Sequence, residues 1–223
     1  VHYALGLCYS QGAGTERNDS EAVTRLEWAA EHGSSGAAVV AGNVYKRHGQ
    51  KSDAERMYRT AAGQGSVMSI YEVAQICMGK EGNLDAYREA LELFEAVKLA
   101  DASREEACEE AIQTLKEYIA EEQQKEAKAY FEDGCKDAIS LEQAKELYQD
   151  AIEEMKQTLE YKTVTDKLEK AAFGSYAPAE FLCGYFWIKG MTKTQNPFIA
   201  AEWIRRAVNQ DYIEDNLVEY DWI

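Results

Sequence analysis

The segment Ala4-Leu5-Gly6-Leu7-Cys8-Tyr9 and the distant segment Leu182-Cys183-Gly184-Tyr185-Phe186-Trp187 follow one template. Each is followed, at the same intervals, by a glycine and then by small and apolar residues: Gly12, Ala22, Leu26 and Ala29 after the first, and Gly190, Ala200, Ile204 and Ala207 after the second. Every matching pair is 178 residues apart. Identical internal spacing indicates a repeated unit of two helices. Such a unit cannot bury its own apolar face, so we expect an all-α solenoid of antiparallel helix pairs.

A second copy follows the first directly, and a third copy is weaker. In the second copy, Gly42 takes the place of Gly6 and Ala61-Ala62 takes the place of Ala29-Ala30. In the third copy we align Ala74-Gln75-Ile76-Cys77 with the first template, which puts glutamine at the glycine position. Its second helix is expected from Asp85 to about Ala100. The template returns at Leu168.

The middle of the chain departs from this pattern. Helical spacing of Cys108, Ile112, Leu115 and Ile119 predicts one amphipathic helix, and we expect a bend or exposed turn at the polar residues 123–126. We therefore divide the chain into repeats at 1–100, an irregular helical insertion or divergent repeats at 101–164, and C-terminal repeats with a cap at 165–223. All three parts are expected to belong to one continuous solenoid, and no segment shows the alternation of a strand.

Capping residues predict where the helices begin. The expected caps are Asn18 or Asp19, Asn196 before Pro197, and three capping boxes, Ser52 with Glu55, Ser103 with Glu106, and Ser140 with Gln143. Gly33 is expected to end the second helix.

Glycine recurs inside the first helix of the pair, at Gly6, Gly42 and Gly184. Glycine within a helix costs about 0.5–1 kcal/mol relative to alanine. Its repeated use predicts a close approach of the two helices of each pair, with Ala29 and Ala61 as the small facing surface.

These residues resemble the Sel1-like repeat, a relative of the tetratricopeptide repeat. The similarity lies in the Leu-Gly-x-apolar-aromatic segment and in Ala29-Ala30-Glu31-His32-Gly33 and Leu168-Glu169-Lys170-Ala171-Ala172. It covers about 1–100 and 165–213. It implies a right-handed superhelix, and a non-catalytic scaffold that binds protein or peptide on its concave face.

Composition narrows the classes of partner. The net charge is −16 and 46% of the 223 residues are hydrophobic. Duplex nucleic acid and acidic membrane surfaces would repel such a chain, so the acidity favours a basic or neutral partner or simply keeps a helical protein soluble. No run approaches the length of a membrane span. Val1 lies almost inside a helical pattern, so we expect a piece of a longer protein, and the missing leader says little about its location.

Five cysteines without a CxxC pair argue against a disulfide framework or a zinc site, and unpaired thiols favour a reducing compartment such as the cytoplasm. The histidines, His2, His32 and His48, have no metal-ligand spacing, and we expect His32 at a helix end. Gly12-Ala13-Gly14-Thr15 lacks the lysine of a phosphate loop and is expected to be a turn. No catalytic, metal or cofactor residue is assigned.

The resemblance implies that the concave face is lined one, four and five residues after the Gly6-type position. These positions give the candidate partner-binding residues: Asn43, Lys46, Arg47, Lys80, Tyr185 and Lys189. The four cations are expected either to form a basic stripe for a carboxylate or acidic peptide, or simply to complement helix dipoles. Two other functions stay open: a substrate-positioning region of a larger enzyme, and a self-associating array that uses the apolar end at Trp222-Ile223.

Overall fold

The computed structural model describes residues 1–157, 161–191 and 195–210, with only the backbone for 161 and 162. The described residues form helices and turns without a strand, as the sequence predicts. They divide into two units, 1–119 and 120–223, and helix α7 contributes to both. Among the described helices, none combines the length and the apolar character that crossing a membrane requires.

The first unit consists of helices that pack in sequence order. Their bounds are α1 (His2–Gln11), α2 (Asp19–Glu31), α3 (Ser35–Arg47), α4 (Lys51–Gly63), α5 (Val67–Met78), α6 (Leu84–Ala100) and the start of α7 (Glu105–Gly134). From α1 to α6, each helix packs on the next, and α1 also contacts α3 while α2 contacts α4. Contacts between consecutive helices together with contacts one helix further on are what stacked hairpins produce.

The second unit contains the end of α7 and four further helices. Their bounds are α8 (Leu141–Gln157), α9 (Tyr161–Phe173), α10 (Ala177–Lys189) and α11 (Pro197–Val208). Here α8 packs on α9, α9 on α10, and α10 on α11. The division of the chain at residues 100 and 164, and the single continuous right-handed array, stay predictions.

The core of each unit is built from small and aromatic side chains. In the first unit one buried cluster centres on Leu26 and another on Phe94, and Tyr45 packs against both. In the second unit a single cluster includes Trp187 and Trp203. Tyr45 therefore links successive hairpins of the first unit into one apolar interior.

The predicted close approach at the repeated glycines is confirmed. A Cβ added to any of them would lie 2.6 Å from a side chain of the paired helix, which is Leu26 for Gly6, Tyr58 for Gly42 and Ile204 for Gly184. These three facing residues occupy equivalent positions of the repeat. The prediction that Ala29 and Ala61 supply the facing surface was wrong, because the residue three positions earlier points at the glycine.

The predicted register of the third copy was also wrong. Gln75 is exposed, whereas Ala74 is fully buried and lies 32 residues after Gly42. The same interval leads from Tyr58 to Ala90, which is also fully buried. At the two positions occupied by glycine and tyrosine in the second hairpin, the third hairpin therefore has alanine and alanine.

Helix capping follows the sequence prediction at three of the five sites. Asn18 accepts from the Glu21 N–H, and Asn196 accepts from the N–H groups of Phe198 and Ile199. Ser140 and Gln143 form the reciprocal capping box, with bonds of 3.4 Å and 3.1 Å between their side chains and backbone N–H groups. Gly33 adopts a positive φ of 88° after α2, as expected.

The other two predicted capping boxes were wrong. Ser52 lies inside α4, which begins at Lys51 after Gln50. Ser103 lies in a short 3-10 turn before α7, where its N–H and hydroxyl donate to the Asp101 carboxylate at 3.1 Å and 2.6 Å. In both places the helical conformation begins before the serine, at Lys51 and at Ala102.

Of the two alternatives expected at residues 123–126, the bend is wrong, because α7 continues through them to Gly134, and residues 124–126 lie on an exposed turn of that helix. Glutamine, lysine and glutamate are good helix formers, and the segment holds neither glycine nor proline. The predicted amphipathic helix around Cys108 therefore continues without a break past Tyr130. The predicted C-terminal cap and the apolar end at Trp222-Ile223 lie outside the described residues.

Candidate functional site

The candidate partner-binding residues are spread over both units. Asn43, Lys46 and Arg47 lie in the last turns of α3 and are exposed, while Lys80 lies in the turn after α5. Tyr185 and Lys189 lie on α10 in the second unit. The four residues of the first unit are grouped along two neighbouring hairpins, and the other two form a pair of their own.

The three cations of the first unit contact carboxylates of other helices. Lys46 Nζ lies 2.6 Å from Glu72 on α5, Arg47 Nη2 lies 3.1 Å from Asp19 on α2, and Lys80 Nζ lies 3.0 Å from Glu55 on α4. Lys46 thus joins α3 to α5, Arg47 joins α3 to α2, and Lys80 joins the turn after α5 to α4. These cations therefore align hairpins, and Lys46 and Lys80 are paired with carboxylates of the chain itself.

The remaining candidates make local contacts. The Tyr58 hydroxyl donates to Asn43 Oδ1 at 2.7 Å, which ties an exposed residue of α3 to a buried one of α4. Lys189 Nζ lies 5.6 Å from the centre of the Tyr185 ring, a cation–π distance. Asn43 and Lys189 are exposed and Tyr185 is half-buried.

A cationic cluster that the sequence analysis did not identify surrounds Asp19. Arg17 donates to both Asp19 carboxylate oxygens, at 3.1 Å and 2.7 Å. The His48 Nε2 atom lies 2.7 Å from Asp19 Oδ2, and Arg47 contacts Oδ1. The hydrogen bonds from Arg17 and His48 and the nearby charge of Arg47 hold the pKa of Asp19 far below its usual range. Sequence spacing could not reveal this cluster, because the loop before α2 meets the end of α3 only after folding.

A second ionic network joins α4, α5 and α6. Arg59 donates to Glu55 on its own helix at 2.9 Å and to Glu89 on α6 at 2.5 Å. The Cys77 thiol donates to Glu89 at 3.4 Å. Burial, together with the adjacent Glu89 carboxylate, raises the pKa of Cys77 to about 11. Cys77 is thus an unreactive thiol of the core.

In the second unit, several aromatic rings pack around Trp203. The Phe131 and Phe173 rings each lie 4.8 Å from it, and the Arg206 guanidinium stacks over Phe131 at 4.4 Å. A groove of about 610 Å³ runs beside this cluster, between α7 and the first turns of α11. Phe131 and Phe198 are among the residues that line it.

Glu180 is a buried carboxyl on the first turn of α10. Its side chain accepts a hydrogen bond of 2.8 Å from Gln210, just after α11. Burial raises its pKa to about 7, with the Glu202 carboxylate adding to the shift and Arg206 opposing it. Nothing in its sequence context distinguishes Glu180 from the exposed glutamates.

His32 and the glycine-rich segment 12–15 lie where the sequence predicts. His32 follows α2 as its C-terminal cap, with Nδ1 2.7 Å from the Trp28 carbonyl, and the Trp28 ring is stacked between His32 and His2. Residues 12–15 connect α1 to α2. Within residues 1–157, 161–191 and 195–210, no group of three or more potential ligands is arranged to hold a metal ion.

Comparisons with known proteins give structural matches only, since no family model and no curated protein matches the chain. A protective antigen of uropathogenic Escherichia coli strains with a Sel1-like repeat fold matches 95% of this chain and 46% of its own, at 20% identity and a TM-score of 0.45. A Sel1 repeat protein from Oxalobacter formigenes matches 99% of this chain and 63% of its own, at 20% identity and a TM-score of 0.44. The chain thus spans about half to two thirds of the length of these proteins. Solved Sel1-like repeat structures match this chain over nearly its whole length, at low sequence identity.

Proposed function

We propose that this chain is a non-catalytic scaffold that binds a protein or peptide on the exposed faces of its first-position helices, α1, α3 and α5. The observation that carries the proposal is that two positions of the repeat, one and five residues after the Gly6-type position, are each exposed in two successive hairpins. The first position is exposed as Asn43 on α3 and Gln75 on α5, and the second as Gln11 on α1 and Arg47 on α3. A row of equivalent exposed positions with different side chains is how repeat proteins vary their specificity on a constant frame.

The resemblance to Sel1-like repeats supports the same proposal, since it implies binding on the face formed by these helices. Asn43 and Arg47 keep the role that the sequence analysis gave them. Lys46 and Lys80 lie at the edge of this surface, where their ion pairs hold the hairpins in register. Tyr185 and Lys189 offer a separate contact on α10 of the second unit.

Photocrosslinking at single positions tests the proposal. A photoreactive amino acid replaces Gln11, Asn43 or Gln75 in three variants, and replaces exposed Thr24 on α2 or Glu92 on α6 in two matched controls. After irradiation in extract of the source cells, captured proteins are identified by mass spectrometry and then tested in purified form.

We expect the same protein to be captured from all three first-position helices and not from the controls. Capture of that protein from α2 and α6 with equal yield would overturn the proposed surface. Capture of only a second copy of this chain would favour the self-associating array over the scaffold. A crosslink to an enzyme domain of the same parent protein would favour the substrate-positioning role.

A further inference from the structure

The net negative charge of this chain is unevenly distributed. Residues 1–63 contain seven acidic and seven basic side chains, so the whole formal charge of −16 belongs to residues 64–223. The first two hairpins are therefore neutral within a strongly acidic protein. An acidic partner meets the least repulsion at these hairpins.

Within that neutral region, two guanidinium groups and one imidazole converge on a single carboxylate. Arg17, Arg47 and His48 have side chains that are 52%, 45% and 50% exposed, whereas the Asp19 side chain between them is 16% exposed. Two guanidinium groups and one carboxylate leave an excess positive charge even when His48 is neutral. The cations face solvent and the carboxylate that they share lies beneath them.

Several N–H groups of Arg17, Arg47 and His48 do not donate a hydrogen bond to Asp19. Arg47 contacts it through Nη2 alone, and Arg17 through Nε and Nη2. Among the described residues, the other guanidinium nitrogens of these two arginines and the His48 Nδ1 atom have no hydrogen-bond partner. Guanidinium groups match carboxylates with two parallel hydrogen bonds, so these free edges suit further carboxylates.

We propose that Arg17, Arg47 and His48 form a recognition site for an acidic segment of a partner protein, with Asp19 as the internal carboxylate that competes for the same donor groups. The proposal rests on the scaffold function proposed above and specifies its partner chemistry. The segment's aspartate or glutamate side chains bind the outer N–H groups of the cluster. Competition from the chain's own Asp19 keeps the affinity for a single carboxylate low, so several acidic residues in a row are required.

A fluorescent hexaglutamate peptide tests this site with the whole chain, by fluorescence anisotropy at low and high salt. Hexaglutamine is the neutral control peptide. The variant Arg17→Gln/Arg47→Gln removes two charges from the cluster. The matched control Arg88→Gln/Lys98→Gln removes two charges from exposed ion pairs elsewhere in the first unit. Circular dichroism checks that each variant is folded.

The variant Asp19→Asn separates recognition from a purely structural role. It removes the negative charge of the internal competitor, while the amide oxygen of asparagine can still accept a hydrogen bond from the neighbouring arginines. If the cluster only stabilises the fold, this change weakens or does not affect peptide binding. If the cluster is a carboxylate site, the peptide affinity rises.

We expect hexaglutamate to bind more weakly to Arg17→Gln/Arg47→Gln than to the wild type, by about fivefold for each arginine removed. Binding of the peptide to the wild type should also be weaker at high salt than at low salt. The matched control should keep wild-type affinity, and Asp19→Asn should exceed it. Equal affinity of the two double variants, or no gain in Asp19→Asn, would overturn the proposal. Because the crosslinking experiment uses positions 11, 43 and 75, it would still support a scaffold if this site failed.

Discussion

The Gly42 backbone lies directly against the Tyr58 ring, so that a Cβ at position 42 would lie 2.6 Å from Tyr58 Cε1. Tyr58 is fully buried, and its hydroxyl bonds to Asn43, the neighbour of that glycine. One aromatic side chain thus fixes the distance between α3 and α4 and presents Asn43 on the outer surface.

Gly42→Ala is expected to destabilise the protein by about 1–3 kcal/mol, because the added methyl group overlaps a ring that has no space to move. Gly63→Ala is the matched control. Gly63 is also helical, but nothing lies within 4 Å of the position of its Cβ. The control should be neutral or stabilising by up to about 1 kcal/mol. Urea denaturation measures both, and equal effects of the two substitutions would refute the packing explanation.

A double-mutant cycle makes the same relationship quantitative. When position 58 is alanine, the further substitution Gly42→Ala should lower the unfolding free energy only slightly. The third hairpin already has alanine, Ala90, at the position equivalent to Tyr58. The expected coupling energy is about 1–3 kcal/mol and is obtained from the unfolding free energies of the two single variants and the double variant. Additive effects would show that the ring does not contact position 42.

Gly134→Ala is expected to loosen the second unit. A Cβ at this position would overlap the ring of Phe173, which itself packs on Trp203. We expect a loss of about 1–3 kcal/mol in unfolding free energy and a weaker near-UV circular dichroism signal from the aromatic cluster. Phe173→Leu should restore part of the loss in the double variant, and a double variant no more stable than Gly134→Ala would contradict the predicted overlap.

Stability should depend on pH through Glu180. Its pKa is raised from an ordinary 4.5 to about 7, so the folded state retains a proton between these values that the unfolded state releases. The contribution of Glu180 to stability is therefore present below about pH 4.5 and is lost as the pH rises to about 7. Glu180→Gln should remove this dependence and be more stable than the wild type at pH 8 by about 1–3 kcal/mol.

Melting curves of both proteins at pH 5 and pH 8 test this expectation. The other carboxylates are common to both proteins, so the difference between the two curves isolates Glu180. A stability difference that stays constant between the two pH values would contradict a buried, protonated carboxyl.

The cysteines should differ in reactivity. Cys135 is exposed, whereas Cys77, Cys108 and Cys183 are buried and have raised pKa values. At pH 8, alkylation of Cys135 should be at least about 100-fold faster than alkylation of the three buried thiols. Peptide mass spectrometry after timed iodoacetamide treatment gives the rates, and urea should abolish the difference. Comparable rates for Cys77 and Cys135 in the folded protein would show that α5 is not packed as described.

Local sequence signals predicted most of the secondary structure. Asn18, Asn196 and the Ser140–Gln143 pair were identified correctly, because a helix N-cap depends only on residues within one turn. The same signal predicted the wrong N-cap at Ser52 and Ser103, because the helical conformation begins before each serine. The position of the third glycine equivalent was misassigned by one residue, because sequence similarity cannot decide between Ala74 and Gln75, whereas burial does.

The candidate site was less predictable from sequence than the fold. The positions of Asn43 and Arg47 follow from the repeat register, and both are exposed as expected. The partners of the cations are residues 25 to 28 positions away in sequence, such as Asp19 for Arg47 and Glu72 for Lys46. These contacts depend on how hairpins pack, so the spacing of charges along the chain does not show them.

Hydrogen exchange of Gly42→Ala against the wild type tests most directly whether stability is built from neighbouring hairpins. If the first unit is a stack, protection should fall most in α3 and α4, less in α1, α2, α5 and α6, and least in α10 and α11. A uniform loss of protection across all of these helices, or no loss at all, would contradict the account.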